Sequence, residues 1–544
     1  MSTEREKLIE IWLDSASERE YQFAFRSALL FSGYKVLHNT GHTSLELGKD
    51  VIAIAPNGDV VAYQLKGNPS GRITISQWQA LIPQINTLIY QPVGHPNIAP
   101  ATLHHPFLVT NGEIHEDVAA AIVAYNRKIE SSSPPANALR TMARGELLNL
   151  FFQHADKIWP VDIAAQREIL NLIAAASDDV VPDDLYCALI YRLLGLNEGK
   201  AKFKIERVAA AHLVTSIVVS NWQKKNNLVE VIRLYTLLYA GVCSYIDRSG
   251  GRSSPARKYL SEIEFNIRET LSEFVEYMKR DYDGRPLINS NMLQEFSYFH
   301  ARKKMVIGLA ATAAMDTGAE RSDEIRDFLW RFVCASKSKA FLIGEFMVPF
   351  CLATFWAQSE LQGTNKPDRE IIGILQSILN QNSSDEARNH VPGPYYGLAD
   401  VVKRNYQEFL GVGASQIDDE SHHHRSWFAE ALFYLVVRRN YKQTCQYVWS
   451  DLTKFLHTRT RLKEPWQFGM TSCDEAKHED KQIKIPQTWS DVVVTASQSR
   501  EPKVPAPMLD KPFLVLLYCL FVPYRMDFDV IMWLDRKLSR SAWY

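Results

Sequence analysis

Three residues on two short strand-like runs could together do phosphodiester chemistry. The first run is Leu47-Gly48-Lys49-Asp50-Val51-Ile52-Ala53-Ile54-Ala55. The turn Pro56-Asn57-Gly58-Asp59 follows, and then Val60-Val61-Ala62-Tyr63-Gln64-Leu65-Lys66-Gly67. An acid opens one apolar run and a Gln-x-Lys closes the next. Cleaving a phosphodiester needs charge neutralisation at the phosphate, an aligned water and a nearby cation. Asp50 is a hard oxygen ligand suited to Mg²⁺ or Mn²⁺. The side-chain carbonyl of Gln64 and the backbone carbonyl of Leu65 are further neutral ligands. Lys66 can serve the phosphate or the attacking water.

Positioning these groups makes a geometric demand. Strand alternation puts Gln64 and Lys66 on one face. A symmetrical two-residue turn at Asn57-Gly58 would pair residue 50 with residue 65 and send Asp50 to the other face. The site therefore requires an odd-length turn or a bulge.

The flanking elements read as mixed α/β. Glu18 to Phe31 has helical spacing, and Gly33 ends it as a C-cap would. Tyr34 to Leu37 is a strand candidate. Ser76 is an expected N-cap for a helix running to about Tyr90. Pro106 to Thr110 is a strand, and Asn111-Gly112 turns into a helix over Glu116 to Lys128. The spacing predicts a further helix over Leu139 to Ala155. Ser131-Ser132-Ser133-Pro134-Pro135 reads as a linker, and a first domain is expected over residues 1–165.

From 166 to 460 the pattern is almost wholly helical, with segments such as Glu168–Ala176, Tyr186–Leu194, Ala209–Trp222, Leu228–Ile246, Leu260–Lys279, Ile325–Ala335 and Trp427–Arg438. No fixed repeat period is present, which favours an irregular array over a consensus solenoid. A third part, 461–544, is expected to hold a Pro- and charge-rich irregular segment, with a short strand over Val492 to Thr495. Its apolar tail from Phe513 should pack on the helical region.

With these flanks, Gly48-Lys49-Asp50 and Gln64-Leu65-Lys66 resemble the PD-(D/E)xK nuclease core, in the D…QxK variant of Mrr-like restriction endonucleases. Phe31-Ser32-Gly33-Tyr34 resembles the close of that family's first helix. Phe107 to Gly112, with the helix carrying Ala119, Ala120 and Ala121, resembles its late strand and helix. The resemblance covers roughly residues 15–130. It implies a restriction-endonuclease-like domain, a Mg²⁺- or Mn²⁺-dependent endonuclease activity and a nucleic-acid partner, DNA rather than RNA. Lys49 stands where the motif has proline. The family often carries a metal-assisting Glu eleven residues before the closing glycine, and here that position is Gln22. Glu18 and Glu20 lie nearby, and Glu20 is the candidate assisting acid. The fusion of such a domain to a helical module is, by analogy, that of bacterial restriction or anti-phage effectors.

Composition bounds these expectations. The 544-residue chain carries 61 Lys and Arg against 62 Asp and Glu, a net charge of −1. Residues 1–130 hold 10 basic against 13 acidic residues, a net of −3. Any nucleic-acid surface must therefore be a local patch, or come from the helical region or a second subunit. Seven dispersed cysteines without a CxxC argue for reduced thiols and against structural zinc. The charged N-terminus has no apolar core after it, and the run from Phe513 to Val522 is too short to span a bilayer. A cytoplasmic protein with no membrane partner is expected. Cutting both strands of a duplex would favour a homodimer or higher homo-oligomer.

Other readings stay open. The same fold could bind nucleic acid without cleaving it, and the missing helix carboxylate favours that. The chain could be a helical adaptor, with Asp50, Gln64 and Lys66 as ordinary polar residues of an edge hairpin. His422-His423-His424 invites a metal reading, yet three adjacent histidines cannot all face one ion on a helix. Arg459-Thr460-Arg461-Leu462-Lys463 and Arg302-Lys303-Lys304 read as solvated basic faces.

Overall fold

A computed structural model describes residues 4–14, 16–39, 49–69, 71–95, 98–99, 102–130, 136–155, 168–169, 171–172, 181–197, 202–250, 254–282, 298–316, 321–335, 343–360, 368–385, 390–396, 398, 401, 403–404, 422–471, 477–483, 488–498 and 501–539. The predicted helix over Glu168 to Ala176 falls mostly outside these residues, as do the Ser131–Pro135 linker and Gly48. The chain divides into two compact units, residues 1–234 with 253–265, and residues 235–252 with 266–544. The first unit thus carries helices beyond residue 165 as well as the sheet.

The first unit opens with helices α1 (Glu4–Leu13) and α2 (Glu18–Phe31). Gly33 ends α2 in the left-handed region, at φ 84°, and the Tyr34 N–H reaches back to the Leu29 carbonyl at 3.0 Å. That is the capping geometry glycine favours. Strands β1 (Lys35–Asn39), β2 (Val51–Ile54) and β3 (Val60–Lys66) follow, then β4 (Arg72–Ile73), α3 (Ile75–Tyr90), β5 (His105–Thr110), β6 (Glu113–Ile114), α4 (Glu116–Glu130), β7 (Arg140–Met142) and α5 (Arg144–Gln153). The main sheet has the order β1-β2-β3-β5-β7. Its first two pairings are antiparallel and its last two parallel. A parallel pair needs a long crossover, which α3 supplies between β3 and β5. A small parallel pair, β4 with β6, lies just beyond the ends of β3 and β5 in sequence.

One apolar layer joins the sheet to α3 and α4: Ala62, Trp78, Ile85, Leu88, Leu108, Val118 and Ile122 are all buried. Each fully buried aliphatic side chain there contributes roughly 1.5–3 kcal/mol. Helix α2 packs against the helix Ile205–Lys224 within the same unit.

The second unit is mainly helical and holds a three-stranded sheet in the order β10-β9-β8, made of Arg425–Ser426 (β8), Leu456–Arg461 (β9) and Lys477–Gln482 (β10). The apolar tail docks here. Leu514 to Leu520 are buried, and Tyr518 donates to the Phe468 carbonyl at 3.0 Å. Asp535 accepts from Trp356 Nε1 at 2.9 Å and Arg439 at 2.7 Å.

Four sequence expectations are corrected. Thr74, not Ser76, caps α3: its hydroxyl accepts the Gln77 N–H, and the Gln77 side chain accepts the Thr74 N–H at 2.8 Å. The stretch Leu139 to Ala155 is not one helix, because β7 precedes α5 and pairs with β5. Val492 to Thr495 belongs to the helix Trp489–Ser497, not to a strand. Its three valines favour a strand, but the reciprocal cap between Thr488 and Asp491 starts a helix just before them. The segment after 460 is less irregular than expected, since β9 and β10 pair across it.

Among the described residues, one helix, Leu228–Arg248, is long and apolar enough to cross a membrane, and 94% of its apolar window is buried within the protein.

Candidate active site

The odd-length turn that the site demands is present. Ala55 N–H donates to the Asp59 carbonyl at 2.8 Å, and Gly58 N–H donates to the Ala55 carbonyl at 2.9 Å. Pro56, Asn57 and Gly58 thus form a three-residue loop, with Gly58 at φ 92°. Pro56 pre-sets φ for the first turn position, and glycine takes the left-handed one. The Asn57 side-chain oxygen Oδ1 also accepts the Asp59 N–H at 3.1 Å. The resulting register pairs Val51 with Tyr63, so the next step brings residue 50 opposite residue 64.

Asp50 and Gln64 consequently meet. Gln64 Nε2 donates to Asp50 Oδ2 at 2.6 Å, and the Leu65 N–H donates to the same oxygen at 2.6 Å. The Asp50 N–H in turn donates to the Tyr63 carbonyl at 2.8 Å. Gln64 is buried and Asp50 is half-buried. Each N–H bond to a carboxylate contributes roughly 1.5–3 kcal/mol. Together they fix the carboxylate against the end of β3.

Lys66 lies at the last position of β3, and its ammonium is 3.7 Å from Glu18 Oε2. Both side chains are partly open to solvent, at 23% and 30% exposure. Glu18 Oε2 also accepts the Gly67 N–H at 3.3 Å. Among the described residues, the acid that reaches Lys66 is Glu18, in the first turn of α2. Glu20 belongs to α2, and its side chain lies outside the described residues. Gln22 is half-buried on the same helix.

Tyr21 is a site residue that sequence reasoning missed. Its hydroxyl accepts the Lys66 N–H at 3.1 Å, and it lies 3.1 Å from the Lys66 carbonyl and 3.3 Å from the Val109 carbonyl. It closes the ends of two parallel strands where no further strand residue is present to do so. Burial raises its phenol pKa well above the ordinary value, and the charges of Glu18 and Asp50 raise it further. Both carboxylates therefore act on one buried hydroxyl. The signal available in the sequence was the helix period: Glu18, Tyr21 and Phe25 recur at i, i+3 and i+7.

Two further groups complete the surroundings. Asn111, just past β5, donates to the Leu13 and Ala16 carbonyls at 2.8 and 2.7 Å and accepts the Asn68 N–H at 2.8 Å. It ties the start of α2 to the ends of β3 and β5. Lys49 is buried at 2% exposure, and its ammonium donates to the Thr87 carbonyl at 3.4 Å. Burial lowers its pKa to about 8.

The donor set suits a hard divalent cation: the Asp50 carboxylate with the carbonyl oxygens of Gln64 and Leu65. Two N–H donors on one carboxylate oxygen hold Asp50 in a single orientation, as second-shell bonds do for metal ligands. No cluster of three or more His, Cys, Asp or Glu side chains suited to a metal ion is present among the described residues. That applies equally to the histidine run, where His422 is buried and His423 stacks on His390 at 5.5 Å. Arg459, in the basic cluster after 458, makes a two-pronged pair with the buried Glu430 at 2.5 and 2.6 Å, a structural use of that cation.

The groups brought together are one carboxylate in register with a Gln-x-Lys, a lysine at a strand terminus, and a second carboxylate on that lysine, all at the carboxyl ends of parallel strands where open α/β sheets place ligands. No family model, curated protein or solved structure matches this chain.

Proposed function

We propose that the N-terminal sheet carries a metal-dependent endonuclease of the PD-(D/E)xK kind, with DNA as the substrate. The observation that supports this most is the Asp50–Gln64 register, which gives a D…QxK motif one working face. Asp50, Gln64 and the Leu65 carbonyl would hold Mg²⁺ or Mn²⁺. When bound, the cation would neutralise the phosphate and lower the pKa of its water.

The chain's own residues do the rest. Gln64 and the Leu65 N–H aim the Asp50 carboxylate. Lys66 presents an ammonium to a phosphate oxygen or to the attacking water. Glu18 holds that ammonium at the strand end, and Tyr21 fixes the backbone beneath it. The helical remainder would sense, oligomerise or regulate, and by analogy of architecture the protein would act in restriction or anti-phage defence.

A second reading has specific support. Asp50 already accepts two N–H donors and Glu18 already engages Lys66, so the same face could bind nucleic acid without hydrolysing it. Incubating the protein with supercoiled plasmid in Mg²⁺, Mn²⁺ or EDTA separates the two. Nicking or linearisation only in metal supports the nuclease. Retained plasmid binding with no cleavage in either metal supports the binding-only reading.

A further inference from the structure

The mainly helical second unit contains a cavity of about 610 Å³ with an unusual lining. It lies between the end of the helix Ser254–Asp281 and the helix Asp323–Ala335, and Lys279, Tyr282, Glu324, Phe328, Trp330 and Arg331 face it. The volume falls within the range of small-molecule sites. Its aromatic side is built as a rigid floor. Tyr282 meets Phe328 edge-on at 5.9 Å and Phe332 at 5.1 Å, while Phe328 and Phe332 lie 5.9 Å apart. Trp330 lines the cavity and is only half-buried. The polar side carries two cations and one acid. Lys279 pairs with Glu324 at 2.8 Å, and Glu324 remains 73% exposed. Arg331 is exposed one residue after Trp330.

Aromatic faces take planar rings, and an arginine fork takes phosphate. A carboxylate beside them accepts from an exocyclic amine. Lys279 is held by Glu324 and Arg331 donates to the Asp327 carbonyl at 3.3 Å, so both cations are fixed at the cavity; a purely apolar ligand would not use their charge, and a free inorganic anion would not use the Trp330 ring. We infer that this cavity is a nucleotide site: a purine nucleoside monophosphate would stack its base on Trp330 and the aromatic floor and place its phosphate on Arg331 and Lys279. The site lies wholly in the second unit and stands independently of the chemistry proposed at Asp50.

The test is isothermal titration of the full chain with AMP, adenosine, inorganic phosphate and a short single-stranded oligonucleotide. AMP is expected to bind saturably and more tightly than adenosine or phosphate alone. Arg331→Ala should weaken AMP by about tenfold, as loss of one charge-assisted contact does. Trp330→Leu should weaken it by roughly ten- to a hundredfold, the range for one lost base stack. Circular dichroism and melting temperature of Arg331→Ala should match the parent, because that side chain is exposed. Asp50→Ala should bind AMP as the parent does. The inference is overturned by no saturable AMP binding at millimolar concentration. It is equally overturned by phosphate binding as tightly as AMP, by binding of the oligonucleotide alone, or by AMP binding that Arg331→Ala and Trp330→Leu leave unchanged.

Discussion

Asp50 is oriented by Gln64 and by the Leu65 amide, so the acid at the centre of the site is set by its strand neighbour rather than by a ligand. That makes the Gln of the motif a structural partner of Asp50, beside the metal-donor role proposed for it. Lys49, next in the chain, stands under the opposite constraint. It is a buried amine whose pKa burial lowers from 10.5 to about 8. A base depressed in the fold favours folding least when protonated. The cost is absent above about pH 10.5, grows as pH falls from 10.5 towards 8, and is full below about pH 8. Lys49→Met should therefore stabilise the protein at pH 7 by roughly 1–3 kcal/mol, the scale of a shift of this kind. The gain should vanish by pH 10.5. Urea denaturation at pH 7 and pH 10.5 checks this, and equal effects at the two pH values would show that the ammonium carries no such cost.

At the scale of elements, the site depends on how closely the start of α2 approaches the end of β3. A Cβ at Gly67 would stand 2.7 Å from the Glu18 backbone nitrogen, so no larger residue fits without forcing the two apart. Gly67→Ala should cost about 1–3 kcal/mol, as overpacking does, and should lower activity because Glu18 and Lys66 separate. Gly145→Ala, with open space around its Cβ, should be neutral or stabilise slightly. Denaturation midpoints and cleavage rates of the pair measure this, and equal behaviour would refute it. Much of this architecture was legible beforehand. The α2 stop at Gly33, the hairpin, and the need for an odd turn all follow from local rules, because glycine φ and strand parity act over a few residues. Glu18 was visible only as a neighbour of Glu20. That Glu18 reaches Lys66 could be read only from the stripe it shares with Tyr21 and Phe25, which has meaning only once the sheet lies against it. Tyr21 itself was hidden, since closing two strand ends is a tertiary role that no spacing announces. The strand β7, Arg140-Thr141-Met142, runs almost directly into α5 and is absorbed into its helical reading, because three residues carry too little period to tell strand from helix.

On the scale of the whole molecule, α2 is anchored from behind. Arg26 forms an ion pair with Glu262 inside the first unit, with both side chains at or below 10% exposure, and burial lowers the Arg26 pKa to about 9. Beside it His212 is fully buried, its pKa lowered to about 3 by burial and by Arg26. Removing one member of a buried pair leaves the other uncompensated, so Glu262→Ala should cost about 3–5 kcal/mol. A thermal melt unchanged from the parent would show that the pair does not hold α2. The net charge of −1 gives the chain little long-range pull on a polyanion, so cleavage rather than affinity is the sharper readout of function. The decisive measurement is the rate at which the full chain nicks and linearises supercoiled plasmid in Mg²⁺, beside Asp50→Ala and Lys66→Ala of matched melting temperature. The account predicts metal-dependent cleavage by the parent and its loss in both variants. Cleavage that survives both substitutions, or none by the parent in either Mg²⁺ or Mn²⁺, would contradict it.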